Sequence, residues 1–440
     1  MKLDFSTRAM DIGTPAFNLV RTLSVAATGG AEAAECLLTA GRVKNGDAES
    51  WVTEWAALAD QRHREAESAE HRSVVRSSYL RASNYYRTAM ISLPPSDPRL
   101  DAYLTRSRDC FQRAAALCSP PVETLAIPFE EAVLPAYFVT TGKRAPTLVV
   151  LNGGDSTNEE VVHWLGFAAV DRGWNCVVFE GPGQWSALQL NPGLYLRPDF
   201  EAPVRAVIDH VTQRTDVDSD RLAIFGPSLG ASLAARATAF DKRIKACVSD
   251  GLVVDVYQAW HAVWPSPLQQ APAWLFDMAF ATMEKLSPQL RGLSNRFRAM
   301  FGQTRPHDLI ESWRPFDIGG LATRIDVPVL LLYGEAELAQ TNEDVSAGVL
   351  QFIAELAGAT TLRVFGYDQG WAATHCQIGA LSSLQAAMFD WLDRVVVAGE
   401  TLPTMDADLS VMRRHLHGAA ATRALDRIEA TAHGARLSSP

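Results

Sequence analysis

The stretch Arg221-Leu-Ala-Ile-Phe-Gly-Pro-Ser-Leu-Gly-Ala231 decides the fold, because a serine stands in it between two glycines at a fixed spacing. Its apolar first half predicts a buried strand, and the small residues after Ser228 predict a helix. Gly226-x-Ser228-x-Gly230 is the spacing of the tight strand-to-helix turn called a nucleophile elbow. This turn requires small residues around the serine, because it leaves no room for side chains. Ser228 is therefore expected above a sheet at the start of a helix, whose dipole stabilises negative charge.

The composition describes a globular chain with an acidic charge balance. Of the 440 residues, 48% are hydrophobic and 20% are charged, which suffices for one large domain or several ordinary ones. The formal net charge of −10 argues against a nucleic-acid ligand, whose phosphates require clustered lysine and arginine. We see no signal peptide and no apolar run long enough to span a membrane. The 6 scattered cysteines are typical of reduced thiols, so a cytoplasmic protein is expected.

The hydrophobic pattern changes near residue 120 and predicts two main regions. Residues 1–120 have apolar residues at helical spacing and predict an N-terminal helical domain. Residues 121–400 predict a core in which short apolar strands alternate with helices, the pattern of a mostly parallel sheet covered on both faces. Residues 122–129 and 133–140 predict a strand pair joined by a turn at Glu130-Glu131. The short apolar strands that alternate with helices are predicted at residues 147–151, 176–179, 222–225, 246–249, 329–333 and 362–365.

Two further segments depart from this alternation. Residues from about 254 to 320 show no strand pattern and are rich in tryptophan, which predicts a helical cap inserted into the core. Residues 401–440 predict a C-terminal helical tail with one amphipathic stretch at 409–430. A parallel sheet around an elbow, with such an insertion, predicts the α/β-hydrolase fold.

A serine nucleophile requires a base and a carboxylate that orients the base. In the α/β-hydrolase fold, serine, acid and histidine follow in that order along the chain. The acid is expected in Gly334-Glu-Ala-Glu337, which follows the strand at 329–333, and the usual spacing from the glycine selects Glu337. Glu335 is the competitor for this role, and Asp344 is a weaker alternative.

The base is expected in the loop at 366–375, which follows the last predicted strand and in which His375 is the only histidine. Its position in the loop before the next helix and its place in the chain order both indicate a catalytic base. Cys376 beside it is interpreted as a packing residue. An oxyanion requires backbone donors, one of which is expected from the N–H of Leu229 after the nucleophile. The second is expected from Gly154 or Asp155, since the glycines after the strand at 147–151 let N–H groups turn inward.

Several short motifs occur in a fixed order over about residues 75–395. They are Tyr79-Leu-Arg-Ala-Ser-Asn-Tyr-Tyr-Arg87, Val122-Glu-Thr-Leu-Ala-Ile-Pro-Phe-Glu130, Leu134-Pro-Ala-Tyr137, Gly153-Gly-Asp-Ser-Thr157, Glu159-Glu160, Glu180-Gly-Pro-Gly-Gln184, Arg197-Pro-Asp-Phe200, the elbow and His375-Cys-Gln377. As an ordered set they resemble the α/β-hydrolases that include pseudo-oxynicotine-type hydrolases and fungal polyketide chain-shortening hydrolases of pigment pathways.

The resemblance implies hydrolysis of a C–C bond next to a ketone in a polyketide-like or aromatic diketone. Ser228 would attack the ketone and His375 would protonate the carbanion that leaves, with direct activation of water by His375 as an open variant. The resemblance also implies a helical N-terminal domain over the site and often a dimer, which leaves a homodimer open. Trp185 stands where the family usually has glycine, and is a candidate substrate contact in the pocket wall.

Asp250 follows the strand predicted at 246–249 and is the other candidate for substrate binding. It would either face the pocket or cap the next element. No metal-ligand spacing and no phosphate-binding G-x-x-x-x-G-K motif occurs, so neither metal nor cofactor is expected. The expected partner is a small-molecule substrate, and neither nucleic acid nor a membrane.

The elbow does not distinguish between reactions that pass through an acyl-enzyme. An esterase, a thioesterase or an acyltransferase of secondary metabolism therefore remains an alternative function. A further alternative is a hydrolase fold that serves as a non-hydrolytic cyclase or as a binding protein.

Overall fold

The structure is a computed structural model and describes residues 13–262 and 264–437. Its N-terminal part consists of the helices α1 (Pro15–Leu23), α2 (Ala33–Arg42), α3 (Ala48–Ser68), α4 (Arg72–Met90) and α5 (Pro98–Ala115), with a short 3₁₀ turn at Ala26–Thr28. The starts of α1, α3 and α5 follow the local sequence, because Thr14, Asp47 and Asp97 accept N–H groups of the first turn.

Among the described residues, the sheet has 9 strands in the order β1-β2-β4-β3-β5-β6-β7-β8-β9. They are β1 (Val122–Phe129), β2 (Ala132–Val139), β3 (Ala145–Leu151), β4 (Asn175–Phe179), β5 (Val217–Pro227), β6 (Ile244–Asp250), β7 (Val329–Gly334), β8 (Thr360–Phe365) and β9 (Met405–Ala407). The β1–β2 and β2–β4 pairs are antiparallel, and the other pairs are parallel. The predicted mostly parallel sheet is therefore confirmed.

Helices connect the strands of the core. They are α6 (Asn158–Val161), α7 (Phe167–Asp171), α8 (Trp185–Leu190), α9 (Glu201–Val211), α10 (Leu229–Phe240), α16 (Glu335–Leu338), α17 (Glu343–Glu355) and α18 (Leu381–Leu392), with π-helical turns at Val162–Gly166 and Asp393–Val397 and 3₁₀ turns at Tyr367–Ala373 and His375–Gln377. Strands β3 and β4 are buried along their whole length, which agrees with cover on both faces. Because β5 to β8 are parallel, the loops at their carboxyl ends meet at one edge of the sheet.

The segment between β6 and β7 is helical, as the sequence predicts. It contains α11 (Val256–His261), α12 (Ser266–Gln269), α13 (Ala273–Leu286), α14 (Pro288–Phe301) and α15 (Pro306–Ser312), followed by 3₁₀ turns at Arg314–Phe316 and Gly319–Arg324. Aromatic rings fill its interior: Trp264 stacks on Phe280 with ring centroids 5.0 Å apart, and Trp313 meets Phe297 edge to face at 5.1 Å. The tryptophans that mark this cap in the sequence therefore include residues of its own core.

The C-terminal tail contains more than the single amphipathic stretch expected at 409–430. Its first part is β9, which pairs with β8 at the edge of the sheet and is too short to show an alternating pattern. Helices α19 (Ser410–His415) and α20 (Ala419–Leu437) follow. They are separate because Leu416 is extended and Gly418 has a φ of +91°. Across the described residues, no helix is both long and apolar enough to cross a membrane.

Candidate active site

The elbow is as tight as its glycine spacing predicts. Ser228 stands between β5 and α10 with φ of 56° and ψ of −126°, a strained conformation for a residue with a side chain. A Cβ on Gly226 would lie 1.9 Å from the carbonyl oxygen of Gly230, and a Cβ on Gly230 would lie 2.8 Å from that of Asn152. The N–H of Ser228 donates to the Asp250 carbonyl at 2.8 Å, which ties the turn to β6.

His375 and Glu337 are joined by a hydrogen bond between Nδ1 and Oε1. Glu337 lies in α16 after β7, and His375 lies in the 3₁₀ turn at His375–Gln377 in the loop region after β8. The second carboxylate oxygen, Glu337 Oε2, accepts the N–H of Gly334 at 2.7 Å, which fixes the orientation of the carboxylate. Both loops leave the same edge of the sheet as the elbow, since β7 and β8 are parallel neighbours.

This pair changes the protonation of the histidine. Burial by itself would lower the pKa of His375, but the interactions with the neighbouring Cys376 and with the carboxylate of Glu337 at Nδ1 together raise it well above the ordinary value of 6.5. Burial raises the pKa of the neighbouring Cys376 thiol to about 12. The thiol is therefore neutral at physiological pH, in agreement with a packing residue rather than a nucleophile.

The two other carboxylates considered for the acid lie elsewhere. Glu335 Oε1 accepts from Arg414 Nη2 at 3.0 Å and from His415 Nε2 at 2.8 Å. Burial alone would raise the pKa of Glu335, but the hydrogen bonds from His415 and from the Tyr367 N–H, together with the charges of Arg414 and His415, lower it. Asp344 is exposed in the first turn of α17. Of the three candidates, the structure brings only Glu337 to His375.

The loop after β3 packs against the serine. A Cβ on Gly153 would lie 3.4 Å from the Ser228 Cβ, and the Gly153 N–H already donates to Ser156 Oγ at 2.8 Å. Within the described ranges, the N–H groups of Gly154 and Asp155 have no protein acceptor. Leu229 begins α10, so its N–H has no acceptor within the helix. The backbone N–H groups expected to bind an oxyanion therefore have no acceptor among the described residues. They lie in the elbow itself and in the loop that packs against it.

The side chain of Asp155 is 36% exposed and lies at the edge of an ionic cluster whose other members are buried. Its Oδ2 accepts from Arg21 Nη1 at 2.8 Å, and Arg21 also binds both oxygens of Glu160, at 2.7 and 2.6 Å. Arg87 lies 3.2 Å from the same Glu160 carboxylate. Burial would raise the pKa of Asp155, but the two arginines hold it at about 2. The Asp155 carboxylate is thus committed to Arg21, which leaves its backbone N–H as its free group.

Asp250 is completely buried, with 0% of its surface exposed. Its Oδ1 accepts from Gln377 Nε2 at 3.3 Å, and its Oδ2 has no partner among the described residues. Burial, with a further contribution from the Glu337 charge, raises the pKa of Asp250 to about 8. It does not cap the next helix, because Asp255 accepts the first-turn N–H of Gln258 in α11. Asp250 therefore lies beside the His375–Glu337 pair as a neutral or easily protonated carboxyl group.

Trp185 begins α8 and is buried against Met90 and Leu104 of the N-terminal helices. The guanidinium of Arg296, in cap helix α14, covers its ring at 3.7 Å from the centroid. Sequence reasoning missed Arg296 and also missed Phe297, whose Cε1 lies 3.0 Å from the position of a Cβ on Gly154. Nothing in the sequence signals either residue, because the cap follows no recognisable motif.

No protein-family model matches the chain. Hydrolase LUC6 of a Fusarium species is 31% identical over 404 residues, which cover 86% of this chain and 95% of that protein. The 20-hydroxy-prefusarin hydrolase FUS2 of Gibberella moniliformis is 31% identical over 401 residues, with coverage of 86% and 95%. The α/β hydrolase ucsC of an Acremonium species is 32% identical over 332 residues, 68% of this chain and 67% of that one.

The solved structure of 2,6-dihydroxy-pseudo-oxynicotine hydrolase has the same fold. It superposes with a TM-score of 0.68 at 21% identity and covers 87% of this chain and 98% of its own. A sheet of this order, with an elbow at the end of β5, defines an α/β-hydrolase. The chain belongs to the α/β-hydrolase family that includes these fungal proteins, and it is an enzyme. The fold class and the resemblance predicted from the sequence are both confirmed.

Proposed function

We propose that the chain is a serine hydrolase with Ser228 as nucleophile, His375 as base and Glu337 as the residue that orients the base. The hydrogen bond between His375 Nδ1 and Glu337 carries this proposal, because it connects the loops at the edge where the elbow presents Ser228. With Nδ1 held by the carboxylate, Nε2 is the nitrogen left to accept the serine proton. The N–H groups of Leu229 and of Gly154 or Asp155 then hold the oxyanion.

The bond that we propose for cleavage is a C–C bond next to a ketone, in a polyketide-like or aromatic 1,3-diketone. The support is the ordered set of motifs by which the sequence resembles such hydrolases, together with a relative whose name assigns it 20-hydroxy-prefusarin as substrate. Asp250 and Trp185 remain proposals as substrate contacts. The acyl-enzyme route is equally open to esters and thioesters, so an esterase, thioesterase or acyltransferase is the competing function.

The reaction has two halves. In the first, Ser228 Oγ attacks the ketone carbon while His375 Nε2 takes the hydroxyl proton, and the carbonyl oxygen becomes the bound oxyanion. Collapse restores the carbonyl and breaks the C–C bond, whose electron pair leaves as an enolate and is protonated by His375. In the second half, His375 removes a proton from water, the hydroxide releases the acyl group as an acid, and Ser228 regains its proton.

The test compares wild type with Ser228→Ala on 1,3-diketones, aryl esters and acyl thioesters, with products identified by mass spectrometry. We expect diketones to give an acid and a ketone, and Ser228→Ala to lose at least about a thousandfold in kcat. Turnover of esters or thioesters alone would favour the competing function. Conversion that survives Ser228→Ala would disprove the nucleophile, and absence of labelling at Ser228 by a fluorophosphonate would favour a cyclase or a binding protein.

A further inference from the structure

Arg296 is a buried cation without a carboxylate partner. Only 9% of its surface is exposed, and no described carboxylate forms an ion pair with it. Two arginines of the same helix behave differently: Arg298 pairs with Glu284 at 2.6 Å, and Arg291 is exposed to solvent. A buried charge is costly unless a group of opposite charge or strong dipoles compensate it. The carboxylates of Glu180 and Asp155 attract Arg296 only from beyond ion-pair distance, and burial still lowers its pKa, so the charge is left without a direct anionic partner among the described residues.

The guanidinium is held in place by neutral groups. Arg296 Nε donates to the carbonyl of Gly154 at 3.0 Å, Nη2 donates to the carbonyl of Gly183 at 3.3 Å, and the ring of Trp185 lies against its face. The third nitrogen, Nη1, has no hydrogen-bond partner in the part of the chain that the structure describes. A guanidinium has five N–H donors, so this arrangement fixes its orientation and leaves donors for a ligand.

The guanidinium also lies close to the reacting groups. Arg296 donates to the carbonyl oxygen of Gly154, whose N–H is a proposed oxyanion donor. Gly154 follows Gly153, the residue that packs against Ser228. Phe297 covers the other side of Gly154. The cap thus places a positive charge next to the oxyanion loop. The carboxylates of Glu180 and Asp155 attract this charge, but neither forms an ion pair with it among the described residues.

We propose that Arg296 binds the oxygen of the substrate on which negative charge develops as the leaving group forms. This inference rests on the proposed function, in which C–C cleavage transfers the bond's electron pair to an enolate. In a 1,3-dicarbonyl, the enolate oxygen comes from the carbonyl group that Ser228 does not attack. The ligand class of the Arg296 site is therefore an anionic oxygen of an enolate, and Trp185 acts through Arg296 by orienting it. Burial lowers the pKa of Arg296 to about 10, which still leaves it charged at neutral pH.

The test measures binding of dimedone, a cyclic 1,3-dione that is an enolate at neutral pH, and of its neutral methyl enol ether. Both are titrated into the Ser228→Ala protein by calorimetry, so that turnover does not intervene. We expect the enolate to bind at least tenfold more tightly than the ether. Adding Arg296→Gln should abolish this preference, whereas adding Arg291→Gln, in the same helix, should leave it unchanged.

Two further arms keep the result interpretable. Arg296→Lys retains the positive charge without the planar set of N–H donors. It should keep part of the preference for the enolate, and it can be measured even where Arg296→Gln fails to fold. In the Ser228→Ala protein with Arg296 intact, acidification that protonates dimedone should remove its preference over the ether. Equal binding of the two compounds, binding of neither, or a preference that survives Arg296→Gln would overturn the proposal. Fluorophosphonate labelling of Ser228 in the Arg296 variants tests the serine separately, so failure of either proposal is distinguishable from failure of the other.

Discussion

At the scale of single residues, the protonation state of His375 decides when Ser228 can be activated. His375 must be neutral to accept the serine proton, and Glu337 favours its charged form. The same contact that orients the imidazole therefore moves its titration to higher pH. Glu335, separated from Glu337 by one residue, makes no such contact because it binds Arg414 and His415.

We predict that kcat/KM falls on acidification along a limb that lies above pH 6.5. The sign follows from the raised pKa of His375: the neutral base is present above that pKa and is lost as the pH falls through it. The measurement is a pH–rate profile on whichever substrate the panel identifies. A limb below pH 6.5, or a flat acid side, would contradict His375 as the base.

Glu337→Gln and Glu335→Gln form a matched pair for the same profile. Glu337→Gln should lower kcat by about ten-thousandfold, as loss of the orienting acid does in other triads, and should move the acid limb to lower pH. Glu335→Gln should leave the limb in place, because its carboxylate does not contact His375. If the acid limb of the pH–rate profile does not move in Glu337→Gln, Glu337 is not the triad acid.

At the scale of elements, the junction of β5 with α10 depends on contact between backbones. Gly226 and Gly230 approach so closely that neither position has room for a Cβ. The chain can enter the helix at this angle only because both residues lack side chains. Ser228 takes its strained conformation from the same junction, with its N–H held by β6.

We predict that Gly226→Ala prevents stable folding of the elbow, since the new methyl group would lie 1.9 Å from a backbone oxygen. The expected cost exceeds about 4 kcal/mol of unfolding free energy. Gly292→Ala is the control: it lies in α14 with nothing within 4 Å, and should stabilise by up to about 1 kcal/mol. Denaturant unfolding of both variants measures the difference, and similar stability in the two would refute the prediction.

At the scale of the whole molecule, the site joins parts of the chain that are far apart in sequence. Arg21 of α1 binds Asp155 in the oxyanion loop and Glu160 in α6, and is itself 3% exposed. Arg296 brings the cap to the same loop from the other side. The oxyanion loop is therefore held by the N-terminal helices and by the cap, besides its own strand.

We predict that Arg21→Met lowers the free energy of unfolding by about 3–5 kcal/mol, because it leaves two carboxylates without their main partner. Arg42→Met, which removes an exposed pair with Glu54, should cost less than about 1 kcal/mol. Equal costs for the two substitutions would contradict the prediction.

Asp155 also makes the stability depend on pH. The pKa of its carboxyl is about 2 in the folded protein and lies below the ordinary 3.8, so the stability that it contributes is present above pH 3.8 and is lost as the pH falls through about 2.

The sequence predicted those features that are encoded locally. Apolar runs located strands such as β3 and β4, because strands buried on both faces have few polar positions to interrupt them. The elbow was predicted from its glycines, and chain order with loop spacing selected Glu337 and His375, which the structure joins by a hydrogen bond. Their catalytic roles stay predictions until the variants are measured. The strand β9 was missed, since its few residues pair only because β8 offers a free edge.

Thus the amino-acid sequence by itself determined the α/β-hydrolase fold, its family and the candidate triad, because short-range periodicity and spacing carry that information. Only the tertiary structure decided which carboxylate reaches the histidine, that Asp155 binds Arg21, and that Arg296 lies at the oxyanion loop with no ion pair to a described residue. The reason is physical: burial and pairing of charges depend on residues that lie 38, 134 and 142 positions apart in these three contacts, and no local pattern records which of them meet.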